Sequence, residues 1–164
     1  MQKMIQAVAA LEMATFSDPW SERILQDTLK YDYNRIVVLK DDGVCTEIRE
    51  FQNEAAESGL EGVDHSTSII GYSIYRTIAG ETELCRIAIE KSKRGQGLSR
   101  ILMDELVQSS GESIFLEVRS MNTPARNLYV QYGFVETGLR KKYYEAPEDD
   151  AVLMTRRDAL GAGN

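Results

Sequence analysis

Several residue groups in this 164-residue chain have types and spacings that suit chemistry. The first is Glu117, alone among apolar neighbours in Ile114-Phe115-Leu116-Glu117-Val118. Read as a strand, the run puts Phe115, Glu117 and Arg119 on one face. A carboxylate there must be paired, wetted or used as a base. A bond to Arg119 or to backbone would satisfy it as well as a reaction would. The second is Tyr129, a phenol of reference pKa near ~10 that can donate a proton to a leaving group or simply pack as a core aromatic. The third is Arg94-Gly95-Gln96-Gly97-Leu98-Ser99-Arg100, which follows the apolar Ile87-Ala88-Ile89. A strand that enters a glycine loop and then a helix offers unpaired backbone N–H groups and the positive end of a helix dipole. Both suit a phosphate, and glycines let it approach the backbone. The loop is not a Walker motif, and Arg100 stands where a dinucleotide fingerprint needs its third glycine. By itself it also fits a plain glycine turn with basic decoration. Trp20, Tyr143 and Tyr144 complete the set, as walls of a slot or as packing at loop ends.

The elements that must hold these groups follow from periodicity. Residues 4–14 read as a helix with Met4, Val8, Leu11 and Ala14 or Thr15 near one face. Ser17-Asp18-Pro19-Trp20 breaks it, and Ser21 N-caps a second helix to about Leu29. Ile36-Val37-Val38-Leu39 is a buried strand. Residues 41–68 carry eight acidic residues against one basic one, Arg49, and read as a solvated loop insertion with a short helix near 50–58 or as a substrate flap. A hairpin covers 69–90. A helix from Leu98 to Ser109 presents Leu98, Ile101, Leu102, Leu106 and Val107 on one side. Ser113–Arg119 is a strand. Thr123-Pro124 opens a helix that Gly133 closes, with Leu128 and Tyr132 facing the sheet. Strands follow at 134–143 and 151–156. This order is an α/β (α+β) sheet with helices packed on it.

Composition narrows the function classes. With 43% apolar and 27% charged residues, the chain reads as one domain over 1–158 with a short flexible tail at 159–164. No apolar run suits a bilayer and no signal peptide precedes the first helix, which predicts a cytoplasmic protein without a membrane role. Cys45 and Cys85 are far apart and His65 is the sole histidine, so neither a metal site nor a histidine triad is expected. A net charge of −7 argues against nucleic acid and is compatible with a basic peptide partner.

Together, the motifs resemble the GNAT acetyltransferases. Arg94-Gly95-Gln96-Gly97-Leu98-Ser99 is similar to the family's acetyl-CoA signature [QR]-x-x-G-x-[GA], with Ser99 departing at the last place. Leu116-Glu117-Val118-Arg119 with Asn122, then Leu128-Tyr129 to Gly133-Phe134, resembles the branch that acetylates ribosomal-protein alanine N-termini. Asp18-Pro19-Trp20-Ser21-Glu22 and Tyr143-Tyr144, after Arg140-Lys141-Lys142, fit that branch too. The resemblance runs from about Ile5 to Arg156, leaves out the acidic insertion, and finds the family's first strand missing or truncated.

The resemblance implies a mixed, mostly antiparallel twisted sheet with helices on both faces, acetyl-CoA as cosubstrate and no metal. It implies Glu117 as general base, Tyr129 as general acid and Asn122 as a coenzyme contact. The Gly95–Ser99 amides, with Arg94 and Arg100 beside them, would hold the diphosphate, and Ile87, Ala88 and Ile89 the pantetheine arm. Trp20, Tyr143 and Tyr144 would line the acceptor slot. The implied acceptor is a protein N-terminus, with a ribosomal protein first in line, and the implied state is a monomer or weak homodimer. A lysine side chain, a small amine, or a non-catalytic acetyl-CoA-binding module are the rival readings.

Overall fold

A computed structural model of the chain describes residues 1–49, 68–110 and 113–157. The helix expected near 50–58, His65 and the tail at 159–164 lie outside those residues. The described elements are α1 (Gln2–Thr15), α2 (Glu22–Leu29), β1 (Asn34–Lys40), β2 (Cys45–Ile48), β3 (Ile69–Ile78), β4 (Glu81–Ile89), α3 (Leu98–Ser109), β5 (Ser113–Arg119), α4 (Thr123–Gln131), β6 (Val135–Glu145) and β7 (Glu148–Arg157). The strands form one sheet in the order β2-β1-β3-β4-β5-β7-β6. The β1–β2, β5–β7 and β6–β7 ladders are antiparallel and the β4–β5 ladder is parallel. The expected mixed, mostly antiparallel sheet is therefore present.

Packing divides the chain into two compact units, residues 1–74 with 87–102, and residues 75–86 with 103–164. In the first, α1 buries Ile5, Val8, Ala9 and Glu12, a stripe at i, i+3, i+4 and i+7. Leu11 is buried as well, so Val8 and Leu11 lie inward as expected, while Met4 and Thr15 are half-buried and Ala14 is exposed. Ser21 caps α2, its hydroxyl accepting from the Ile24 N–H at 3.3 Å. Strand β1 has a continuous apolar centre, with Ile36, Val37, Val38 and Leu39 all buried.

Strand β2 is a second correction. The acidic segment does not begin as an open loop, because Cys45–Ile48 pairs with Leu39–Ile36 in a hairpin. Gly43, at φ +84°, makes the turn. Glu47 joins Arg35 and Arg49, each at 2.9 Å. A four-residue strand with only Ile48 buried carries too little alternation to show in sequence.

In the second unit, Ala79 (φ +51°) and Gly80 (φ +84°) turn β3 into β4, both at the positive φ that a tight two-residue hairpin requires. Strand β5 alternates as expected, with Ile114, Leu116 and Val118 buried. Asn122 caps α4 through a bond from the Ala125 N–H at 3.3 Å. Gly133, at φ +82°, follows its last turn. The expected helix face is shifted by one residue: Tyr129 is the buried side chain of α4, while Leu128 and Tyr132 are half-buried. The cause is Phe134, whose N–H bonds the Tyr129 carbonyl at 3.0 Å and whose ring packs 5.7 Å from the Tyr129 ring. Tyr132 instead reaches out to Asp104 at 2.7 Å.

Candidate active site

The glycine loop is built by the strand before it and the helix after it. A short 3-10 turn at Lys91–Lys93 leads from the end of β4 into the loop. Lys93 donates to the Glu90 carbonyl and Arg94 to that of Lys91, which closes the turn. Gly95 (φ +77°) and Gly97 (φ +76°) then reverse the chain twice in a conformation that side chains resist. The next internal main-chain bond is Arg100 N–H to Gly97 carbonyl at 3.0 Å. Among the described residues, no main-chain bond is donated by Gly95, Gln96, Gly97, Leu98 or Ser99. A Cβ at Gly95 or Gly97 would meet nothing within 4 Å. The result is a run of main-chain donors without a main-chain acceptor at a helix start, the arrangement that suits an anion.

Arg94 is also a brace in this loop. Its Nε donates to the Ile89 carbonyl at 2.9 Å, tying the loop to the end of β4. Arg100 is exposed on the first turn of α3. Ala88 and Ile89 are buried and Ile87 half-buried. The β4–β5 ladder covers Glu81–Leu84 against Ser113–Leu116, so Cys85 onward and Glu117 onward run beyond it.

Glu117 is the carboxylate of that free stretch. It stands opposite Leu153 of β7 and retains a quarter of its exposure. Arg140 of β6 forms an ion pair with it at 3.0 Å. Arg119 donates to the Pro147 carbonyl at 2.8 Å and lies 4.1 Å over the Tyr144 ring. Tyr143 and Tyr144 meet edge to face at 5.1 Å. The charge of Glu117 and a hydrogen bond to it raise the Tyr143 hydroxyl above the ordinary phenol range, against the pull of Arg140. Burial, then the Glu117 charge, raises Tyr144 as well. Tyr129 is 5% exposed. Burial first, and then Tyr144, drives its hydroxyl far above the usual range, so it is fully protonated at neutral pH. Glu117 acts on Tyr143 and Tyr144, and Tyr144 acts on Tyr129.

Four placements differ in character. Asn122 spends its side-chain oxygen on the helix cap. Trp20 belongs to the first unit, half-buried, with its N–H on the Glu12 carboxylate at 2.9 Å. Glu12 itself is a buried carboxylate that sequence reading missed, and it also accepts from the Tyr72 hydroxyl at 2.5 Å. Its place on the apolar stripe of α1, four residues after Val8, is the signal that could have shown it. Cys85 offers no nucleophile: burial and the charge of Glu83 push its thiol up to about 11.

The profile described as the acetyltransferase (GNAT) family matches residues 5–134. An uncharacterized protein of Mycobacterium leprae is 38% identical over 100 residues, which is 58% of this chain but 28% of that protein. The N-alpha-acetyltransferase RimI of Mycobacterium tuberculosis is 30% identical over 157 residues, 94% of this chain and 86% of that one. Among solved structures, the ribosomal-protein-S18-alanine N-acetyltransferase of Escherichia coli superposes with a TM-score of 0.72 at 22% identity, over 100% of this chain and 94% of that one.

Proposed function

The chain belongs to the GNAT family of acetyltransferases, and from that premise we propose that it transfers acetyl from acetyl-CoA to the N-terminal α-amine of a protein. The observation that carries this reading is the run of amides from Gly95 to Ser99, which donate no main-chain bond among the described residues. They fit the diphosphate of coenzyme A, whose negative charge the start of α3 favours. The apolar end of β4 at Ile87–Ile89 fits the pantetheine arm, which can hydrogen-bond as an added strand. When bound, acetyl-CoA supplies an acetyl group already activated as a thioester.

The residues then divide the proton work. Glu117 takes the proton from the incoming amine, directly or through water. A peptide α-amine has a reference pKa of about 7.7–8.0, so a carboxylate meets only a partly protonated population near neutral pH. Tyr129 keeps its proton until a thiolate leaves, because burial holds the phenol neutral. A main-chain N–H near Ile87–Ile89 steadies the charge that grows on the carbonyl oxygen. The amine attacks directly, and the high Cys85 pKa speaks against a thiolate relay. Trp20, Tyr143 and Tyr144 are assigned to the acceptor peptide, and Asn122 to the coenzyme.

The similarity to the putative ribosomal protein bS18-alanine N-acetyltransferase of Bacillus subtilis, 26% identical over 92% of this chain, makes a ribosomal-protein N-terminus the first acceptor to test. On this reading the reaction belongs to the cytoplasm. Among the described residues no helix is long and apolar enough to cross a membrane.

The experiment is thiol release from acetyl-CoA with short peptides that differ in their first residue. Each is offered free, and again N-blocked with a lysine retained. Turnover should require the free α-amine and fall roughly 10²-fold or more in Glu117→Gln, the usual scale for loss of a general base. Equal turnover of the N-blocked, lysine-bearing peptides would replace the α-amine with a side-chain acceptor.

A further inference from the structure

Glu12 is fully buried on the inward face of α1, one turn from Val8 and Ala9. An apolar side chain there would pack without the cost of hiding a carboxyl group. The two oxygens of Glu12 serve two different elements. Oε1 accepts from the Tyr72 hydroxyl of β3 at 2.5 Å, and Oε2 from the Trp20 main-chain N–H at 2.9 Å. The Glu12 carbonyl accepts from the Phe16 N–H at 2.9 Å, which closes the last turn of α1. The segment between α1 and α2 is thus held at its start by the Glu12 carbonyl, near its end by the Glu12 carboxyl, and then by the Ser21 cap.

The strand at the far end of this link also supports the coenzyme side. Strand β3 lies next to β4 in the sheet, and the Ile70 carbonyl, two residues before Tyr72, accepts from the Glu90 N–H at 2.8 Å. Glu90 follows Ile89, the end of the stretch assigned to the pantetheine arm. The coenzyme loop has its own tie to α1, since Thr15 Oγ1 accepts from Arg94 Nη2 at 3.4 Å. One side chain, Glu12, therefore joins the Trp20 main chain to the strand beside the coenzyme stretch. A wall fixed in that way meets an acceptor at a set distance from the thioester, where a misplacement of about 1 Å is costly.

We propose that Glu12 is a positioning residue for the acceptor: through the Trp20 N–H it holds residues 16–21 in the place that receives the peptide. This rests on the assignment of Trp20 to the acceptor peptide. An apolar residue at position 12 would take this acceptor away from the Trp20 N–H. Gln would keep it, because its oxygen can take the Trp20 N–H while its amide donates to the Tyr72 hydroxyl, which accepts as well as it donates. Asp would keep the carboxyl group but fall one methylene short of spanning both donors.

The test pairs thiol-release kinetics on the best free-amine peptide with the emission of Trp20, the sole tryptophan of the chain. Glu12→Leu should raise the peptide KM roughly tenfold, the scale of a buried donor left unpaired, and leave the acetyl-CoA KM within about twofold. Its emission should move to the red and become easier to quench with acrylamide. Glu12→Asp should do the same to a lesser extent, and it decides the matter if Glu12→Leu does not fold. Glu12→Gln should stay close to wild type in both readouts. Val8→Ala, a cavity one turn away, should lower the melting temperature and change neither KM by more than about twofold. An unchanged peptide KM in the folded variants, an equal rise in the acetyl-CoA KM, or the same loss in Glu12→Gln or Val8→Ala would each overturn the proposal and leave the α-amine reaction standing. Red-shifted emission with an unchanged peptide KM would mean a held loop that the acceptor does not touch, and overturns it too. Failure of both Glu12→Leu and Glu12→Asp to fold would make Glu12 a core residue only. Absence of wild-type turnover on every peptide would remove that reaction, and this proposal with it.

Discussion

Burial sets the chemistry available to Tyr129. Its ring lies against Phe134, and its hydroxyl is raised well beyond the range in which water or a surface base would deprotonate it. Such a phenol stays protonated at neutral pH and so has a proton to offer the departing sulfur, but the raised pKa makes it a weaker acid, and the transfer must be driven by the charge growing on that sulfur. Tyr129→Phe keeps the ring and removes the proton. We expect kcat to fall roughly 10²-fold with little change in KM for acetyl-CoA, the pattern of an interaction made only as the bond breaks. The melting temperature should hardly move, because the packing survives. A fall in stability with kcat retained would make Tyr129 a core residue only. The sequence singled out Tyr129 by its context but placed Leu128 on the inward face. The one-residue shift comes from Phe134 folding back over the helix end, a tertiary contact that helical periodicity does not contain. Glu117 was legible because a lone carboxylate breaks a strict alternation. Its partner was not, since Arg140 comes from a strand two places away in the sheet.

At the scale of elements, strand and helix ends do the positioning. The turn after β5 is fastened to β7 by Asp149, which accepts from Ser120 and Met121. The Ser120 bond, helped by those backbone N–H groups and by Arg119, holds the Asp149 carboxyl below its ordinary value. A folded pKa depressed in this way means that the unfolded chain takes up protons first as pH falls. The stabilisation is complete above the unfolded value of about 3.9 and is lost as pH drops through the lower folded value. Asp150, held down by Lys141, acts in the same direction. Asp149→Asn should therefore be less stable than wild type at neutral pH, and its denaturation midpoint should fall less steeply below about pH 4. Urea unfolding across that range reads both effects. Identical acid limbs would show that the Asp149 bonds do not survive in solution. The caps on α2 and α4 and the glycines after β4 were legible because they rest on local backbone chemistry. Strand β2 was not, because its stability comes from pairing with β1 and from the Glu47 ion pairs.

For the molecule as a whole, the order of elements in the sequence led to the right architecture. Most strands and helices begin and end within a residue or two of their expected bounds. What it could not supply was placement set by charge over distance. The chain is acidic overall, and that suggested a basic partner, whereas locally Arg140 pairs with Glu117 and Arg119 lies over the Tyr144 ring. Net charge describes the approach of a partner, and local charge describes its docking. Both readings depend on coenzyme A being held by the loop that opens α3.

Backbone amide NMR during titration with coenzyme A tests that dependence most directly. The account predicts that the amide signals of Gly95, Gln96, Gly97, Leu98 and Ser99 move furthest downfield, as free donors gain a charged acceptor. Saturable binding that leaves those five signals in place, with the large shifts elsewhere in the chain, would contradict it.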